Sequence, residues 1–141
     1  MCQTLTMVQE AISDWVASHS ASYPPTVINI TDGEPTDGDP ESLADSIRNL
    51  ETSDGKVLMY NCHISSTPGA QVLFPSGDEN LPDDKARLLF RMSSVLPDPI
   101  RNVAIAEKIK IGEAARGFAF NADLVDLIRF LDIGTRPTNL R

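Results

Sequence analysis

Basic side chains are few and scattered in this sequence: 12 Lys and Arg stand against 20 Asp and Glu, for a formal charge of −8. Neutralising a phosphate backbone or an anionic headgroup surface needs clustered Lys and Arg, so nucleic acid and membrane surfaces are excluded as expected partners. Cysteine is nearly absent. Cys2 and Cys62 make no disulfide framework, and a reduced, cytoplasmic setting is the expectation. No apolar run approaches the about 20 residues that span a bilayer. The opening MCQTLTMVQEAISDWV has neither the basic start nor the unbroken apolar centre of a signal peptide. There is no Gly-x-Ser-x-Gly elbow, P-loop or dinucleotide fingerprint, which removes the commonest nucleophile and phosphate-cradling chemistries.

What is present suits one globular domain. With 41% apolar and 23% charged residues over 141 positions, the chain buries roughly two-thirds of its unfolded surface. Residues 1–135 are read as that domain and 136–141 as a loose tail. Leu5, Val8, Ile12, Trp15 and Val16 recur at helical spacing and predict a helix over 3–17. SYPP at 22–25 stops it and leads into a strand at 26–31. Asp39 as N-cap with Pro40 at the first helical position opens a second helix, buried through Leu43, Ile47 and Leu50. SDG at 53–55 makes a turn, and KVLMYNCHI at 56–64 reads as a strand covered on both faces. Residues 65–82, rich in Ser, Pro and Gly, read as an irregular excursion. Helices at about 83–92 and 99–110, a strand at 117–120 and a helix at 122–132 complete the pattern. The alternation predicts a layered α/β/α fold: a mostly parallel sheet of about three core strands with helices on both faces.

In such sheets ligands bind outside the carboxyl ends of the strands. The strand TVINIT runs there into DGEPTDGD, which carries Asp32, Glu34, Asp37 and Asp39. Carboxylates and Thr hydroxyls are the ligands hard divalent cations want. EF-hand spacing fails, because from Asp32 its glycine position falls on Asp37 and its closing glutamate on Leu43. The bland alternative is a solvated turn, with Asp37-Gly38 as the bend and Asp39 only a cap. A phosphoacceptor Asp32 in a small magnesium-dependent phosphoryl-transfer protein is a further alternative. It would want a second acidic cluster and a strand-end lysine, and no other strand end here supplies paired carboxylates. Adjacent strand residues face opposite ways, so Cys62 and His63 cannot chelate one ion. Cys62 reads as a small buried hydrophobe. His63, near the end of its strand, is placed with Thr31 and Gly33 on the same binding edge as Asp32. Ser93-Ser94 is explained by capping or packing.

PPTVINITDGEPTDGDP, residues 24–40, resembles the fourth strand and following loop of von Willebrand factor type A domains, particularly bacterial cytoplasmic ones. LETSDGKVLMYNCHISS is similar to their next strand, LFRMSSVLP to the helix after it, and ARGFAFNADLVDLIRFLDIGT to the last strand and helix. The likeness covers nearly the whole chain and is most specific at 24–40. It implies a non-enzymatic protein-interaction module with a metal-ion-dependent adhesion site. There a magnesium ion is held by an Asp-x-Ser-x-Ser motif, a threonine and the aspartate after the fourth strand, and is completed by a partner's carboxylate. Asp32 matches that last aspartate, with Glu34 and Asp37 as secondary candidates. This chain has no Asp-x-Ser-x-Ser, and Thr4 and Thr6 fall on the first helix. The likeness therefore implies the carboxyl-terminal part of such a domain, with weak magnesium binding and a strand edge left open. That edge would be met by a chain supplying the missing strands or by a second copy, and a metal-free structural subunit that associates through its sheet edge is the remaining alternative.

Overall fold

In the computed structural model, which describes residues 1–32, 35–65 and 69–136, helix α1 (Cys2–Ser18) leads into strand β1 (Thr26–Thr31) and helix α2 (Glu41–Asn49). A short hairpin of β2 (Glu51–Thr52) and β3 (Gly55–Lys56) precedes strand β4 (Leu58–His63). Strand β5 (Val72–Leu73), helices α3 (Asp84–Met92) and α4 (Asp98–Ala106), strand β6 (Phe118–Phe120) and helix α5 (Leu124–Thr135) follow. The main sheet has the order β1-β4-β6-β5, parallel across β1, β4 and β6, with β5 antiparallel to β6. This is a layered α/β fold with a mostly parallel sheet. No described helix is long and apolar enough to cross a membrane.

Side-chain alternation along the strands builds two cores. Met59 of β4 and Phe118 and Phe120 of β6 pack with Leu5, Ala44, Ile47, Ala86 and Leu89, from α1, α2 and α3. Leu58, Tyr60 and Cys62 of β4 and Ala119 of β6 pack with Ile100, Ala104, Phe130 and Ile133, from α4 and α5. All six residues of β4 are buried, which is why its sequence shows an almost unbroken apolar run instead of alternation.

Three boundaries differ from the sequence reading, each for a local reason. The strand expected at 56–64 is divided: Lys56 pairs back with Glu51 in the hairpin, where Gly55 takes a positive φ of 142°, and only 58–63 joins the sheet. The excursion at 65–82 is not wholly irregular, because Val72 and Leu73 bond to Phe120 and Ala119 and cover the outer side of β6. The helix expected at 99–110 stops at Ala106. Lys108 turns left-handed (φ 62°), while its N–H reaches Ile105 O and that of Ile109 reaches Ala104 O, the paired bonds of a Schellman stop. A smaller shift occurs at α2. Pro40 flanks the helix that begins at Glu41, yet Asp39 still caps it, its Oδ1 accepting from Glu41 N at 2.9 Å.

Tyr60 shows how closely the second core is fitted. Its ring lies between Gly117 and Gly134, and a Cβ at either position would overlap it. Gly134 sits inside α5, where alanine would ordinarily gain about 1 kcal/mol of helix propensity. Here the overlap outweighs that gain. Gly134→Ala is expected to destabilise the protein by about 2 kcal/mol, read by urea denaturation; a variant as stable as the parent would show that the ring has room to move.

Candidate functional site

The candidate site is the carboxyl end of β1 and the acidic segment after it. Parallel pairing sets Thr31 opposite His63, so the ends of β1 and β4 finish level. The chain then leaves β1 at Asp32, which is exposed. His63 is fully buried, on the α1–α3 side, with its ring edge-on to Phe120 at 5.3 Å. Its Nε2 lies 2.8 Å from the main-chain oxygen of Asp32. A carbonyl only accepts, so Nε2 carries the proton and donates. Nδ1 is buried and has no hydrogen-bond partner among the described residues. His63 was expected to line the binding edge; its ring lies beneath that edge and anchors the backbone at Asp32. Thr31 is half-buried at the end of β1. Gly33 and Glu34 lie outside the described residues.

The remaining acids of the segment separate by their partners. Asp37 turns to the start of α1, where Oδ1 accepts from the terminal ammonium at 2.9 Å and from Cys2 N at 2.8 Å. Its Oδ2 accepts from Gln3 N at 2.9 Å. The terminal ammonium, followed by the Gln3 and Cys2 amides, holds the Asp37 carboxyl far below its ordinary 3.8. This carboxylate is committed to orphan N–H groups of a helix start, which binds α1 to the loop after β1. Asp39 is likewise committed to Glu41 N. Asp32 differs in position: it is exposed at the carboxyl end of β1, where the chain leaves the sheet.

No three His, Cys, Asp or Glu side chains come together as a metal cage among the described residues. Magnesium demands near-octahedral oxygen coordination, and the described residues do not supply it by themselves. Thr4 lies on α1 and, with Met1 and Leu5, faces Asn29, Ile30 and Thr31 across a groove of about 300 Å³. Cys62 points into the α4–α5 core, away from His63, and burial pushes its thiol pKa up, as befits a packing residue and not a nucleophile.

A second groove, about 460 Å³, lies at the amino end of β4 between α2, the β2–β3 hairpin and residues 94–97. Its Arg48 is held by Asp45 and, with Arg116, donates to Arg91 O and Ser93 O at the end of α3. Its Lys56 bonds Asn49. These cations close off a helix end and a hairpin, and the groove does not share the strand end where Asp32 stands.

One constellation escaped the sequence reading. Asn29 Nδ2 donates to Asn61 Oδ1 at 2.8 Å, Asn61 Nδ2 donates to Ser93 Oγ at 3.0 Å, and Ser93 Oγ donates to Leu89 O at 2.8 Å. This polar chain runs from β1 through fully buried Asn61 to α3. Ser94 does related work: its Oγ accepts from Met59 N, its N–H donates to Met59 O, and its own carbonyl accepts from Gly117 N. It thereby extends the ladder where β6 is too short. The only sequence signal was a lone Asn in each of two apolar strands, and it takes the register to put them side by side.

Comparison with protein-family models, with curated proteins and with solved structures finds no match to this chain.

Two outcomes are expected. Asn61→Ala leaves Asn29 and Ser93 without their partner in a buried setting and should cost about 2–4 kcal/mol, measured by chemical denaturation; a loss below about 1 kcal/mol would mean that the neighbours re-pair. For Asp37, the folded carboxyl titrates below the unfolded one, so its stabilisation is whole above the ordinary carboxylate range and fades as pH falls through it. Asp37→Asn should thus lower the melting temperature at neutral pH, with the gap to the parent closing toward about pH 2. A gap independent of pH would show that the charge of Asp37 contributes nothing.

Proposed function

We propose that this chain is a non-enzymatic protein-interaction module of von Willebrand factor type A kind, working in the cytoplasm, whose contact point is the carboxyl end of β1. The observation that carries the proposal is the position of Asp32: exposed, at the carboxyl end of a parallel strand, with its main chain anchored from below by His63. Ligand crevices form at such ends, and the pattern at residues 24–40 resembles that family at this point. In this reading the Asp32 carboxylate is one donor by its position at the strand end, and the remaining oxygen ligands come from a partner protein. Magnesium binding by the chain alone is accordingly weak, and tight binding belongs to the complex.

The test uses the side chain, because His63 holds the carbonyl of Asp32 and not its carboxylate. Asp32→Ala should leave folding unchanged by circular dichroism. A magnesium titration followed by backbone amide NMR should move signals around residues 31–32 in the parent and not in the variant. Equal responses in both proteins would remove Asp32 from the site. Incubation with acetyl phosphate and intact-mass measurement should leave the mass unchanged; a stoichiometric phosphate adduct lost in Asp32→Ala would instead favour the phosphoryl-transfer reading.

A further inference from the structure

We infer that β1 is a self-association edge, pairing antiparallel with β1 of a second copy about a two-fold axis at Asn29. The ladder to β4 is bracketed by Leu58 N to Pro25 O and Ile64 N to Thr31 O. In a parallel pair alternate residues serve the neighbouring strand. Val27, Asn29 and Thr31 therefore turn their N–H and C=O toward β4, while Thr26, Ile28 and Ile30 turn theirs outward. No described strand pairs on that outer side. The strand TVINIT carries none of the usual protections of an edge: no lysine, no proline, no inward charge. The opposite end of the sheet differs, because there β6 is covered by β5.

The side chains favour a second copy as the occupant. Ile28 and Ile30 alternate to the α4–α5 face but take no part in its core, and Ile30 is 50% exposed. Ile64, on the same face just past β4, is 58% exposed. Residues opposite each other in an antiparallel pair share a face, and outward-bonding residues must meet outward-bonding residues. A two-fold axis at Asn29 satisfies both conditions. It sets Ile28 against Ile30 of the second copy and Asn29 against Asn29. The two isoleucine rows then form one apolar strip, and no like charges are opposed. Parallel pairing in register would instead bring the two Asp32 side chains together. On the other face the groove beside Asn29, Ile30 and Thr31 leaves open space between the strand end and α1.

This inference does not rest on the metal reading, and its test separates the two. Sedimentation equilibrium over a wide concentration range should show monomer and dimer, with or without EDTA. Each copy carries a formal −8, so added salt should tighten the dimer by screening repulsion. Hydrogen exchange should show the Ile28 and Ile30 amides gaining protection as concentration rises. Ile30→Lys puts a charge in the paired strip and should weaken the dimer by about a hundredfold or more. A monomer at every concentration would overturn the inference, as would a dimer whose Ile28 and Ile30 amides exchange as in the monomer. A dimer abolished by EDTA would also overturn it while supporting the metal-dependent reading. Should Ile30→Lys fail to fold, the exchange measurement on the parent protein decides alone.

Discussion

Burial of β4 on both faces is the constraint on which the rest of the structure depends. Three of its side chains make demands that other parts of the chain answer. Tyr60 requires two positions without a Cβ, which Gly117 and Gly134 provide. Asn61 requires polar partners in an apolar layer, and Asn29 and Ser93 supply them from different elements. His63 requires an acceptor for Nε2–H and finds it in the backbone at the end of β1. Burying an amide or imidazole without such partners costs several kcal/mol, so these contacts specify which elements lie beside β4 as well as stabilising them. The anchoring of Asp32 is thus a consequence of core packing, since the exposed end of β1 is held by a residue no solvent reaches.

The excess of acid has a structural use that is easily mistaken for a ligand set. Asp37, Asp39, Asp83 and Asp123 all accept from backbone N–H groups at helix starts. A helix start offers unpaired donors and a positive dipole end, and a carboxylate satisfies both. In the segment after β1, Asp37 and Asp39 in this way fasten α1 and α2 to the loop.

The sheet is asymmetric at its edges. Two residues of β5 cover β6 on one side, while β1 stands at the other with uncharged side chains and an isoleucine row that the α4–α5 layer does not reach. An apolar strand with unpaired backbone groups gains from association in a way that a surface turn does not. The proposed contact through Asp32 and the inferred pairing along β1 therefore share one strand and differ in what they use: the end of the strand for one, its length for the other.

Much of this was legible in the sequence. Helical spacing from Leu5 to Val16 marked α1, and the mostly apolar run LMYNCH marked a strand covered on both sides. The alternation of elements set the layered α/β class, because these signals depend on near neighbours alone. The segment at 65–82 was not legible in the same way, since two residues become β5 only because β6 lies beside them. Nor was the shortened α4, whose stop depends on a left-handed lysine where glycine is the usual signal. The roles within the candidate site were decided by tertiary structure too. Nothing in the sequence marks Asp37 as a partner of α1, and it is the arrival of that helix from more than thirty residues away that commits its carboxylate. His63 looked like an edge residue until the pairing of β1 with β4 set it under the backbone of Asp32. Local patterns specify elements; which polar group meets which depends on register and packing, and those exist only once the layers have closed.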